Sequence, residues 1–169
     1  MRAMAAGERV VTMEALLAHL APERRAGRCL VFTNGCFDLL HTGHISLLQQ
    51  AAEQGEILVV GLNSDASVRR LKGPDRPLLP EGERALLLAS LRTVDYVVLF
   101  DEDTPLRLIQ ALRPDVLVKG EDYTPDQIVG REVLESYGGR VVRVPLVPNL
   151  SSTRLIERLR GRFDSPGAF

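Results

Sequence analysis

The chain is short of most features that announce a specialised protein. It has only two cysteines, Cys29 and Cys36, close together around one apolar run. That excludes a disulfide scaffold and leads us to expect a reduced, cytoplasmic setting. Charge of one sign is also missing: 21 Lys plus Arg stand against 22 Asp plus Glu, a formal net charge of -1. A broad polyanion-binding surface, and with it a nucleic-acid partner, is not expected. No window approaches the roughly 18 apolar residues of a membrane-spanning helix, so no membrane partner is expected. The mildly apolar start, Met1 to Ala6, is soon interrupted by Gly7, Glu8 and Arg9, which argues against a signal peptide. There is no heptad pattern or internal repeat. No Gly-x-Gly-x-x-Gly follows the first strand and no P-loop lysine motif occurs, which excludes the usual dehydrogenase and P-loop enzymes. A dense carboxylate cluster and a nucleophilic triad are absent too, so neither a resident metal site nor covalent catalysis is indicated.

What is present is an ordinary globular balance, 45% hydrophobic and 25% charged, over 169 residues. This length suits one domain with a real core. Apolar runs at 29–33, 57–62, 94–100, 115–118 and 140–145 read as strands. Between them lie helical patterns at 45–52, at 65–70 behind the caps Asn63-Ser64-Asp65, and at 83–91. Another follows Pro105, with Asp103 or Thr104 as its cap, and the last is at 154–159. A short helix at 13–20, capped by Thr12, precedes the first strand. Strand-helix alternation with short links predicts an α/β fold: five parallel strands with helices on both faces. Residues 1–27 read as an N-terminal extension with a short helix, 28–160 as the domain, and 161–169 as a flexible tail.

Chemistry concentrates in Asn34-Gly35-Cys36-Phe37-Asp38-Leu39-Leu40-His41-Thr42-Gly43-His44. This stretch joins the first strand to the first long helix and holds two of the chain's three histidines. A helix N-terminus with free amides and a positive dipole end is a natural phosphate site. Imidazoles three residues apart at that turn can donate to phosphoryl oxygens and to developing negative charge. Three further loops carry phosphate-compatible groups. Lys72-Gly73-Pro74-Asp75-Arg76-Pro77 is a restricted loop with two cations, suited to holding a leaving polyphosphate. Lys119-Gly120-Glu121-Asp122-Tyr123 ends a strand, where ligands contact open α/β sheets. Ser151, Ser152 and Thr153 open the last helix, one of them as its cap. His19, Asp65 and Asp95 read as structural, and Arg84 and Arg92 as surface groups.

The element His41-Thr42-Gly43-His44 resembles the His-x-Gly-His signature of the cytidylyltransferase-like nucleotidyltransferases. The string from Thr33 to His44 is most similar to the branch that adenylylates D-glycero-β-D-manno-heptose 1-phosphate. That branch often forms the C-terminal domain of a bifunctional ADP-heptose synthesis enzyme. Similarity resumes in Asn63 to Ser67, Arg70 to Pro74, Arg76-Pro77, Val94-Asp95 and Leu117 to Gly120, and spans roughly residues 28 to 159. The resemblance implies a Rossmann-like strand order 3-2-1-4-5 with the site above the C-terminal strand ends. It implies ATP plus heptose 1-phosphate giving ADP-heptose and pyrophosphate, with Mg²⁺ held chiefly by phosphate oxygens. His41, His44 and Lys72 take the catalytic positions. Thr33, Asn34, Gly35, Phe37, Asp38 and Gly43 line the nucleotide and phosphate entrance, with Arg76 beside them. Lys119, Gly120 and Asp122 form a nucleotide-side loop, and Ser151, Ser152 and Thr153 meet the β- and γ-phosphates. Glu121 departs from the family's second glycine there. The resemblance further implies a homodimer, a separate sugar kinase that supplies the acceptor, and a part in lipopolysaccharide or another surface glycan. Glycerol-3-phosphate cytidylyltransferase remains an alternative branch, and a nucleotide-binding regulator without catalysis an alternative class.

Overall fold

The structure is a computed structural model that describes residues 4–163. Its regular elements are β1 (Val10–Val11), α1 (Met13–Arg25), β2 (Leu30–Gly35), α2 (Thr42–Ala52), β3 (Ile57–Asn63) and α3 (Asp65–Lys72). They continue with α4 (Glu81–Ala89), β4 (Tyr96–Phe100), α5 (Leu106–Leu112), β5 (Val116–Gly120), α6 (Arg131–Ser136), β6 (Arg140–Val144) and α7 (Ser152–Phe163). The strands form one parallel sheet in the order β1-β4-β3-β2-β5-β6.

Alternation along the strands divides the core between the two faces, because successive side chains leave a strand on opposite sides. Val31, Leu58, Val60, Leu62, Val116 and Val118 pack with Leu48 of α2 and with Ala85 and Leu88 of α4. Leu30, Phe32, Ile57, Val59 and Leu117 pack on the other face with Leu16 of α1, Leu108 and Ile109 of α5, and Leu134 of α6. Each fully buried leucine or phenylalanine contributes about 1.5–3 kcal/mol. Every residue of β3 is buried, as expected of a central strand covered on both faces.

Several expectations are corrected. The sheet has six strands instead of five, because Val10 and Val11 pair with Val97 and Val98 at its edge. Two residues are too few for a periodic signal, so the pairing with β4 creates this strand. Val10 and Val11 thus add to the sheet from the expected N-terminal extension, and Arg9 beside them donates to the Val94 carbonyl at 3.1 Å. Setting β1 aside and counting from β2, the remaining strands run 3-2-1-4-5. Helix α1 continues through Pro22 to Arg25. Its last turn is held from outside, since Arg24 donates to the Asp115 carboxylate and, at 3.2 Å, to the Arg113 carbonyl. Neither Asp103 nor Thr104 caps α5; Pro105 is its N-cap and offers no side-chain bond. Helix α7 reaches Phe163, so the first part of the expected 161–169 tail is helical. Residues 164–169, like 1–3, lie outside the described residues. Among the described residues, no helix is long and apolar enough to cross a membrane.

Candidate active site

The C-terminal ends of β2, β3 and β5 open into one cavity of about 510 Å³. Strand β2 pairs with β3 on one side and β5 on the other, so the crevice lies where the sheet reverses its winding. Thr33, Asn34, Gly35, Phe37, Asp38, His41, Gly43 and His44 line it from β2 and the turn into α2. Lys72 enters from the end of α3 and Arg76 from the loop beyond it, Lys119, Gly120 and Asp122 from the end of β5, and Ser151, Ser152 and Thr153 from the start of α7. Every site residue named from the sequence therefore lines this one cavity. Glu121 does not; its side chain is exposed, and its N–H donates to the Val144 carbonyl at 3.0 Å.

The histidine corner is built differently from the expectation of free helix amides. His41 is itself the N-cap of α2, and the N–H groups of Gly43 and His44 donate to its Nδ1 at 3.1 and 3.4 Å. An unprotonated Nδ1 places the neutral ring's proton on Nε2, which is buried and has no partner. The helix end thus presents an imidazole N–H in place of those two amides. The His44 ring stacks on that of His41 with centroids 3.8 Å apart, and Phe37 lies 5.2 Å from it on another side. Burial lowers the His41 pKa. Burial foremost, and then the neighbouring His41, lower that of His44 to about 4 against an upward pull from Asp38. Both rings are neutral near pH 7. Gly43 is required for this stack, since a Cβ there would stand 2.9 Å from the His41 ring.

A second group of residues holds the corner in shape. Asp38, whose side chain is fully buried, accepts from Arg76 Nε at 2.8 Å, Leu78 N–H at 2.9 Å and Leu79 N–H at 3.2 Å. Burial pushes the Asp38 pKa up, but these donors outweigh it and leave the carboxyl below its ordinary range. Arg84 of α4 corrects the surface reading outright: it is 0% exposed. It donates to the carbonyls of Leu79 (2.9 Å), Cys36 (2.6 Å) and Asn63 (3.0 Å) and to the Asp65 carboxylate (2.7 Å). These bonds span a loop whose Phe37 and Leu39 adopt left-handed φ of 46° and 51°, unfavourable for residues with a Cβ. A sequence signal for Arg84 existed: it shares the helical face of Ala85, Leu88 and Ala89, all buried.

Other predicted residues also spend their bonds internally. Thr33 Oγ1 donates to the Val118 carbonyl at 3.0 Å. Lys119 donates to Asn34 Oδ1 and lies 5.4 Å from the Tyr123 ring. Burial lowers the Lys119 pKa to about 8 against the pull of Asp122. Ser152 Oγ donates to the Asp38 carbonyl, whereas Ser151 Oγ accepts from Arg154 N–H at 3.2 Å and so caps α7. Lys72 and Thr153, by contrast, make no side-chain hydrogen bond or ion pair with the described residues.

Partnerless imidazole nitrogens at a helix N-terminus, in the crevice of a parallel sheet lined also by Lys72 and Thr153, point to an α/β protein of the nucleotidyltransferase superfamily. The Cytidylyltransferase-like family model matches residues 32–158, and the chain belongs to that family. It is 60% identical over 151 residues to the Bifunctional protein HldE of Syntrophotalea carbinolica, covering 89% of this chain and 31% of that protein. The HldE of Gluconobacter oxydans is 60% identical over 136 residues, or 80% of this chain. The chain thus spans about a third of the length of these curated relatives. A solved lipopolysaccharide core biosynthesis protein from Thermoplasma volcanium superimposes with a TM-score of 0.59 at 30% identity, over 72% of this chain and 98% of that one. Pantothenate synthetase from Thermus thermophilus, 23% identical with a TM-score of 0.60 over 87% of this chain and 67% of its own, shares the fold.

Proposed function

We propose that this chain transfers the adenylyl group of Mg²⁺-bound ATP to D-glycero-β-D-manno-heptose 1-phosphate, giving ADP-heptose and pyrophosphate. The observation that carries the reading is a pair of neutral imidazoles with partnerless buried nitrogens, in one cavity with the unpaired Lys72. The acceptor phosphate is itself the nucleophile, with a second pKa of roughly 6. One of its oxygens attacks the α-phosphorus as the bond to the departing pyrophosphate breaks, in line and without a covalent enzyme intermediate. The chemical difficulty is to bring two anions together, so positioning and charge stabilisation dominate. His41 Nε2–H donates to phosphoryl oxygens, His44 adds a second imidazole, and Lys72 balances the charge that gathers during transfer. Thr153 and the start of α7 meet the departing phosphates, and Lys119, Gly120 and Asp122 the nucleoside side.

The Asp38 carboxylate is taken up by three donors, and among the described residues no group of three or more His, Cys, Asp or Glu is placed to hold a metal ion. In this reading Mg²⁺ enters with ATP as part of the substrate, held by phosphate oxygens and water. A sugar kinase acting ahead of this domain supplies the acceptor, and the likeness to the Thermoplasma volcanium lipopolysaccharide core biosynthesis protein supports a surface glycan as the destination. A homodimer belongs to the same reading and is checked by sedimentation.

The test is pyrophosphate release with Mg²⁺, crossing ATP and CTP with the heptose phosphate and glycerol 3-phosphate. Release with ATP and the β-heptose phosphate alone is expected. Turnover only with CTP and glycerol phosphate would move the chain to the other branch. Nucleotide binding without turnover of any acceptor would make it a regulator.

A further inference from the structure

One wall of the cavity is left unused by the groups assigned so far. It comprises Asn63 at the end of β3, and Asp103 and Thr104 in the loop between β4 and α5. Since Pro105 is the N-cap of α5 and neither side chain caps it, helix formation does not account for them. The Thr104 hydroxyl makes no hydrogen bond with the described residues. Asp103 accepts from Arg70 Nε through Oδ1, at 2.8 Å, and its Oδ2 has no partner among them. The loop is nevertheless tightly built. Ser64, the N-cap of α3, and Ser67 and Arg70 within it stand three residues apart, and each bonds to the loop. Ser64 Oγ donates to Asp101 Oδ1, Ser67 Oγ to the Glu102 carbonyl at 3.0 Å, and Arg70 to the Asp101 carbonyl as well as to Asp103. Asn63 Nδ2 donates to Ser67 Oγ at 3.0 Å, so the end of β3 and the loop form one hydrogen-bonded unit.

We propose that this wall is the acceptor subsite, in which Lys72 meets the acceptor phosphate and Asp103 and Thr104 bind hydroxyls of a polyhydroxylated sugar. The inference rests on the adenylyl-transfer reading and specifies its acceptor side. An in-line displacement puts nucleophile and leaving group on opposite sides of the phosphorus. The groups assigned to the departing phosphates lie at the start of α7, and those assigned to the nucleoside at the end of β5. The flank of β2 left for the acceptor is the one where β3 and β4 end. Charge agrees with this division. A carboxylate repels a polyphosphate but accepts hydrogen bonds from sugar hydroxyls, and a threonine hydroxyl can give or take one. Arg70 acts through Asp103 and is a positioning residue.

The experiment is calorimetric titration of heptose 1-phosphate onto protein saturated with Mg²⁺ and α,β-methylene ATP, beside steady-state kinetics with ATP. Asp103→Asn should weaken acceptor binding about ten- to a hundredfold, the range for a charged hydrogen bond, and Thr104→Val, which leaves the Arg70 pair intact, about three- to tenfold. Nucleotide affinity should stay within about twofold, and the kcat/KM preference for heptose phosphate over glycerol 3-phosphate should shrink. Arg70→Gln should raise the acceptor KM at unchanged kcat, with partial recovery in Arg70→Lys. Wild-type turnover combined with unchanged acceptor affinity in both wall variants would overturn the subsite and leave the reaction standing. Equal weakening of acceptor and nucleotide would overturn it as well. A wild type that turns over no acceptor would overturn the reaction and the subsite together.

Discussion

The seam joining the β2–α2 loop to the loop before α4 and the rest of the cavity lining follow opposite rules. In the seam, Asp38, Arg76, Arg84 and Ser152 place their polar groups against the chain itself. Elsewhere in the cavity lining, the exposed Lys72, Thr104 and Thr153 have no side-chain hydrogen bond to the described residues, and one nitrogen each of His41 and His44 is buried without a partner. Buried polar groups in folded proteins are satisfied as a rule, so partnerless ones mark where a ligand supplies the missing partner. One sequence motif therefore contains two populations. Thr33, Asn34 and Asp38 bond to the chain itself, while His41 Nε2 and His44 Nδ1 have no partner and, in the proposed reaction, meet the substrate.

Variants that break the comparison should separate stability from turnover. Arg84→Met has the largest expected effect, a loss of about 3–5 kcal/mol in urea unfolding, because it leaves Asp65 and three carbonyls without their partner. A loss below about 1 kcal/mol would show that the seam is not held by this residue. His44→Ala should reverse the pattern. Its kcat should fall about 10²–10³-fold, as for loss of one oxyanion donor, with the denaturation midpoint nearly unmoved. Near-normal turnover would remove His44 from the catalytic set.

Acid sharpens the same contrast with a smaller effect. His44 titrates at about 4 in the folded chain against 6.5 when unperturbed. Between these values the unfolded chain takes up a proton that the folded chain refuses. Stability is therefore full above about pH 6.5 and falls as pH drops toward 4, by no more than about 3 kcal/mol. His41, lowered by burial, adds to the loss in the same direction. Asp38 lies below the ordinary carboxylate value of 3.8, so its contribution is lost only at still lower pH. In His44→Gln the slope between pH 6.5 and 4 should flatten in fluorescence-monitored urea titrations. An unchanged slope would place the acid-sensitive group elsewhere.

These contrasts also show what the sequence could convey. The long strands and the helices between them were legible because burial on both faces writes continuous apolar runs. The cavity residues were legible because Thr33 to His44 resembles a known motif. Strand β1 was not, since a two-residue edge strand exists only through its pairing with Val97 and Val98. Arg84 was misread because its charge suggested solvent, although its register on α4 pointed inward; two of the carbonyls that hold it come from Cys36 and Asn63, distant in sequence. The bonded or partnerless state of each polar atom is a tertiary property that residue identity does not encode. Asp103 and Thr104 illustrate this, reading as helix caps in sequence while Pro105 takes that place in the fold.

The smallest predicted effect dissects one side chain into both populations. His41 Nδ1 accepts two amides of α2 and belongs to the held structure, while Nε2 is partnerless and belongs to the ligand. His41→Asn keeps a short oxygen acceptor at the N-cap, a residue type favoured there, but does not extend to where Nε2 stands. His41→Ala removes both. Alanine should therefore cost about 1 kcal/mol of stability and asparagine close to none, by the measured preference for capping side chains. Turnover should fall to a similar low level in both, because both lack the Nε2–H donor. Equal stability of the two variants would mean that the Nδ1 bonds do not cap α2. Activity retained by asparagine alone would mean that helix capping, not donation to phosphate, is the contribution of His41.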